Sequence, residues 1–99
     1  MKIVKSQDGG KVTLTLIGRL DTTTAPELQA ALLPEFGDMK QVVLDFKELA
    51  YVSSAGLRVL LLGEKSAKGS GASLSFVNVS DEIREIFEMT GFSDIFKIV

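Results

Sequence analysis

Between residues 41 and 68 the chain passes from strand to helix through a pair of serines, and this passage constrains the fold more than any other segment. Gln41-Val42-Val43-Leu44-Asp45-Phe46 is a short apolar run rich in β-branched and aromatic residues, the pattern of a buried strand. Gly56 to Lys68 is long enough and leucine-rich enough to be a helix. A buried strand that feeds a helix is the first half of a crossover, so the chain must build a sheet with parallel neighbours and helices covering it. Ser53-Ser54-Ala55-Gly56 then falls where a loop becomes a helix N-terminus. Free backbone N–H groups and the helix dipole favour negative charge at that point.

A hydroxyl there has two possible uses. Serine is among the best helix N-caps, worth about 0.5–2 kcal/mol over alanine, and most serines before helices do nothing more. Capping needs one hydroxyl, however, and here two are adjacent. The small residues Ala55 and Gly56 that follow are expected to leave the helix start open to close approach by a partner, a kinase or a nucleotide.

The rest of the chain is consistent with one unit spanning residues 1–99, without linker, repeat or low-complexity segment. Lys2 to Ser6 and Lys11 to Ile17 flank Asp8-Gly9-Gly10, a hairpin signal. Val12, Leu14 and Leu16 alternate with Thr13 and Thr15, which predicts one buried and one more polar face. Thr24-Ala25-Pro26-Glu27 has capping-box form and opens a first helix, which Pro34 ends or tightens. Ser73 to Val77 reads as another strand, and Ser80-Asp81-Glu82 caps a third helix that stops at Gly91. Phe96 to Val99 either closes the sheet as a short edge strand or docks as a tail. The expected fold is α/β: a mixed sheet of four to five strands packed with three to four helices.

Composition narrows the function by exclusion. At 45% apolar and 24% charged the chain is ordinary globular material. Its formal charge of −2 gives no basic excess with which to displace phosphate counterions, so no nucleic-acid partner is expected. There is no histidine and no cysteine, which removes histidine-based triads, thiol nucleophiles and the usual zinc ligand sets. Ser53-Ser54-Ala55-Gly56 lacks the glycine before serine of a nucleophile elbow, and Gly63-Glu64-Lys65-Ser66 lacks phosphate-loop spacing. Asp21 and Asp45 are both expected at strand ends near Ser54, but two carboxylates hold a divalent cation weakly. No catalytic residues, cofactor or metal are therefore expected. Met1 to Lys5 lacks the apolar stretch of a signal peptide, and nothing approaches the roughly 20 apolar residues of a membrane span, so the cytoplasm is the expected compartment.

The second helix carries a further feature. Gly56, Val59, Leu60, Gly63 and Ala67 share one arc suited to close packing on a sheet. Leu57, Leu61 and Leu62 fall on flanks beside Arg58, Glu64 and Lys65. Together they exceed what one buried stripe needs, which predicts an exposed apolar strip rimmed by charge and starting one turn from Ser54.

These segments resemble the STAS domain of the anti-sigma-factor antagonist family. The resemblance rests on Gly18-Arg19-Leu20-Asp21 with Thr24-Ala25-Pro26-Glu27-Leu28, on Val42, Leu44 and Asp45, and on Ser53-Ser54-Ala55-Gly56-Leu57. It continues through Ile86-Phe87-Glu88-Met89-Thr90-Gly91-Phe92 with Ile95-Phe96. Aligned on Gly56-Leu57, Ser54 falls on the serine that the family's partner kinase phosphorylates, Ser53 replaces a common aspartate, and Ala55 replaces the second serine. The resemblance implies partner switching. The unphosphorylated chain binds an anti-sigma factor that is also a serine kinase and so frees the sigma factor; phosphorylation of Ser54 releases the complex. It assigns partner contacts to Asp21, Thr22, Ser53, Ala55, Gly56, Leu57, Arg58 and Leu61. It adds a serine phosphatase acting on phospho-Ser54 as a further partner, with the free chain monomeric. Two alternatives stay open: a STAS module that senses a nucleotide or small molecule, and a STAS subunit of a membrane transporter complex.

Overall fold

The computed structural model describes residues 1–99. Its frame is a five-stranded sheet whose strands lie side by side in chain order: β1 (Lys2–Asp8), β2 (Lys11–Leu20), β3 (Gln41–Val52), β4 (Ser73–Val77) and β5 (Lys97–Ile98). β1 and β2 form the antiparallel hairpin, turned at Gly9 with φ +62°. Every later pairing is parallel and bridged by a helix: α1 (Ala25–Leu32) with a 3₁₀ turn at Leu33–Gly37, α2 (Ser54–Ser70), and α3 (Asp81–Met89) with a 3₁₀ turn at Phe92–Asp94. The C-terminal segment does close the sheet as a short edge strand, through two residues: Lys97 and Ile98 pair with Ser75 and Phe76.

Register determines which face carries the helices. Val12 pairs with Val42 and Val42 with Leu74; Leu14 pairs with Leu44 and Leu44 with Phe76. These residues are buried and, by strand alternation, share one face. The helices add Leu28, Leu32, Val59, Leu60, Ile83 and Phe87 to the same core. Phe87 stacks edge-on against Phe76 at 5.9 Å and Phe96 at 5.2 Å, fastening α3 and the C-terminal strand together. Helices therefore lie on one side of the sheet, while Thr13, Thr15 and Ser75 line the other.

Three local expectations change. β3 runs six residues beyond Phe46, because its second half still pairs with β2 although its pairing with β4 stops at Asp45 opposite Val77. Register shifts between Thr15 and Ile17 and between Gly18 and Arg19 absorb the two extra residues of β3. Asp45 consequently sits mid-strand, its Oδ1 accepting from Lys47 N–H at 2.9 Å and Asn78 Nδ2 at 3.0 Å. It is about 20 Å of strand short of Val52, not beside Ser54. Finally, Thr24 makes no side-chain cap for α1, because its hydroxyl is engaged upstream. By contrast, Ser80 Oγ accepts from Ile83 N–H at 3.2 Å, capping α3 as expected.

Candidate functional site

Both helices that follow the central parallel strands start at the same end of the sheet, where the end of β3 and the start of α2 meet the end of β2. Ser53 N–H donates to the Leu20 carbonyl at 2.8 Å, tying the end of β3 to the end of β2. Gly56 packs on the Leu20 side chain so closely that a Cβ there would stand 2.7 Å from Leu20 Cγ. This changes the reading of Gly56. It is buried and faces inward, so its lack of a side chain serves helix–strand contact and not the approach of a partner.

The two serines divide the possible roles between them. Ser53 is extended (φ −89°, ψ 173°) and its Oγ accepts from Gly56 N–H at 3.2 Å, so it is the N-cap of α2. Ser54 is the first helical residue; it is exposed and its hydroxyl makes no hydrogen bond within the protein. No acidic residue occupies the first turn of α2. One hydroxyl is thus committed to the helix, and the other is free beside unsatisfied backbone N–H groups.

Asp21 organises the neighbouring turn. Its Oδ1 accepts from the backbone N–H groups of Thr23 at 3.0 Å and Thr24 at 3.1 Å, and from the Thr24 hydroxyl at 3.3 Å. Asp21 therefore performs the capping that the Thr24 pattern predicted one turn later. Thr24 Oγ1 accepts from Asp21 N–H and lies 2.8 Å from the Arg19 carbonyl, to which it can donate. The Thr24 backbone N–H holds the Asp21 carboxyl below its ordinary value; desolvation opposes it, and the Thr23 N–H, the Thr24 hydroxyl and the Arg19 charge add smaller contributions in the same downward direction. Thr22 is exposed at the crest of this turn.

Down α2, exposure alternates by face. Arg58 is exposed, Leu61 half-buried, Leu62 37% exposed, and Lys65 exposed. Ala55 is half-buried. Leu57 is only 8% exposed and belongs to the core, so the apolar strip is narrower than the sequence implied. Leu57 shares its side of the helix with Glu64, itself buried, and that side is closed off by packing. What remains of the strip is the half-buried Leu61 and the exposed Leu62, between Arg58 and Lys65.

One feature of this edge was not singled out from the sequence. The Arg19 guanidinium lies 4.4 Å from the centre of the Tyr51 ring and 4.0 Å from Asp21 Oδ2, and Tyr51 remains 39% exposed. The pair meets because the register shifts of β2 set Arg19 opposite Tyr51. Nothing in the local sequence signals those shifts. Two surface depressions, of about 430 and 230 Å³, lie elsewhere: one lined by Pro26, Gln29, Ala30, Leu33 and Pro34, the other between Phe36–Lys40 and Ser70–Ala72.

Comparison with known proteins agrees with this geometry. The family model described as "Mlab, STAS domain" matches residues 3–99. BtrV of Bordetella bronchiseptica is 34% identical over 99 residues, covering 99% of this chain and 85% of BtrV. The anti-sigma-B factor antagonist of Listeria monocytogenes is 32% identical over 98 residues, covering 96% of this chain and 84% of that protein. The anti-sigma factor antagonist SpoIIAA, at 16% identity, superposes in its unphosphorylated form with a TM-score of 0.79 over 99% of this chain and 87% of its own. Its phosphorylated form, at 17% identity, gives 0.78 over 99% and 91%. A strand–serine–helix edge on a mixed five-stranded sheet, matched over nearly its whole length, places this chain in the STAS-domain family of anti-sigma-factor antagonists.

Proposed function

We propose that this chain is a switchable binding protein that, unphosphorylated, engages an anti-sigma factor with serine kinase activity and thereby frees a sigma factor. Phosphorylation of Ser54 ends the engagement. The observation that carries this reading is the division between the serines: Ser53 is bound into the α2 cap, and Ser54 is exposed with a free hydroxyl. In the transfer, Ser54 Oγ attacks the γ-phosphorus of ATP and ADP leaves. The hydroxyl proton passes to a base of the kinase. The chain is the substrate of this reaction and not its catalyst. A serine phosphatase resets the cycle, and both reactions take place in the cytoplasm.

Energetics favour release over unfolding. A phosphate brings about −1.5 to −2 charges and three acceptor oxygens. At its own helix N-terminus it is mildly favourable, by about 0.3–1 kcal/mol. Against a partner surface shaped for a neutral hydroxyl, like-charge contact and desolvation cost several kcal/mol. A loss of about 3 kcal/mol is more than a hundredfold in affinity. SpoIIAA in its two forms fits this chain equally well, which supports a switch that leaves the fold intact. Thr22, Arg58, Leu61 and Leu62 are the accessible contacts on this edge, with Asp21, Ser53 and Gly56 shaping it from beneath.

Incubation with the cognate kinase and ATP tests the reading. Phosphopeptide mass spectrometry should find one phosphoryl group, on Ser54; Ser54→Ala abolishes it and Ser53→Ala retains it. Transfer to Ser53 or elsewhere contradicts the assignment. A transporter subunit would use the same α2 face with no phosphate transfer at all.

A further inference from the structure

We infer that Arg58 captures the phosphate of phospho-Ser54 within the chain. This rests on the reading of Ser54 above and adds what becomes of the phosphate once it is there. Ser54 and Arg58 are four residues apart on α2, one turn along the same exposed face, where side chains of this spacing meet. The anion is N-terminal to the cation, the orientation that favours such a pair.

The charges around the pair leave the phosphate few other partners. The ion pairs within the chain use other cations: Lys5 with Glu35, Lys68 with Glu64 and, on the neighbouring turn, Arg19, which is already engaged by Asp21 and the Tyr51 ring. Arg58 makes none, and its guanidinium is uncommitted. The first turn of α2 holds no carboxylate, and Glu64, the acidic residue of this helix, is buried on another face. Arginine suits the task because its planar fork can give two parallel N–H bonds to phosphate oxygens. The pairing has a consequence for the switch. Phosphorylation adds negative charge to the surface and, in the same event, withdraws the cation that stood beside Leu61 and Leu62.

The test places phosphoserine at position 54 by semisynthesis, so that it holds whether or not a kinase uses that residue. Phosphorus NMR titrates the phosphate in the wild-type background and in Arg58→Gln and Arg58→Lys. Arg58 favours the dianion, so Arg58→Gln should raise the proton affinity of the phosphate about twofold at low salt, the effect expected of one such helical pair. Arg58→Lys should retain part of the difference, and about 1 M salt should erase it. Identical titration in wild type and Arg58→Gln overturns the inference while leaving phosphorylation of Ser54 standing. Failure of kinase transfer to Ser54 overturns the functional reading while leaving the Arg58 pairing measurable.

Discussion

Replacing Gly56 by alanine tests the packing that sets the position of the switch. The new Cβ would stand 2.7 Å from Leu20 Cγ, 3.0 Å from Leu20 Cδ2 and 3.1 Å from the Leu20 carbonyl oxygen. Nonbonded carbons prefer about 3.5–4.0 Å, so something must move. Leu20 has no room to yield: its side chain is fully buried, and its carbonyl is bonded to Ser53 N–H at 2.8 Å. Overpacking of this kind costs about 1–3 kcal/mol. Against it stands the helix-propensity advantage of alanine, at most about 1 kcal/mol and less in a first turn. The expected net loss is about 1–2 kcal/mol, or roughly 5–15 °C in melting temperature for a domain of this size. Two companion variants calibrate the result. At Gly63 the Cβ would stand 2.7 Å from Cδ2 of Leu32, which is also fully buried, but no backbone atom stands in its way, so Gly63→Ala should cost less than Gly56→Ala, about 0–2 kcal/mol. At Gly69 nothing lies within 4 Å, and Gly69→Ala should stabilise by about 0.5–1 kcal/mol. Urea unfolding monitored by circular dichroism ranks the three. A Gly56→Ala protein as stable as wild type would refute the claim that this glycine is required by contact with Leu20.

The serine pair gives a second prediction: Ser53→Ala should lose about 1 kcal/mol with the α2 cap, whereas Ser54→Ala should stay within about 0.5 kcal/mol of wild type. Urea midpoints that fall equally would show that the two hydroxyls do not divide as described. A third concerns acid stability. The Asp21 carboxyl is held below its ordinary value of 3.8, so its contribution is fully present above that pH and disappears as pH falls through the lower folded-state value. Asp21→Asn should flatten this part of the stability curve below pH 4 (roughly), and unchanged acid dependence would remove Asp21 from that role.

Much of the fold was legible because its signals are local. The Asp8-Gly9-Gly10 turn, the Ser80 cap and the inward arc Gly56-Val59-Leu60-Gly63-Ala67 need only neighbouring residues to specify them, and each appears in the structure. What was not legible depends on distant parts of the chain. Lys47 and Glu48 break the apolar run of β3, yet the strand continues because β2 pairs with it through shifted register. Leu57 looked exposed because periodicity locates the inward arc of a helix but not how far neighbouring elements wrap around it. Thr24 has the form of a capping box, but Asp21, three residues earlier, has the stronger acceptor and starts the turn first. The Arg19–Tyr51 stack follows from the same register shifts and has no local signature.

Calorimetric titration of the cognate anti-sigma factor with the chain, unphosphorylated and phosphorylated on Ser54, tests the central claim most directly when paired with a melting curve of each form. The account predicts at least a hundredfold weaker binding after phosphorylation, about 3 kcal/mol, with the two melting temperatures within a few degrees. Equal affinity of the two forms, or weaker binding that comes with a collapse of the phosphoprotein's stability, would contradict a switch that acts at the exposed start of α2.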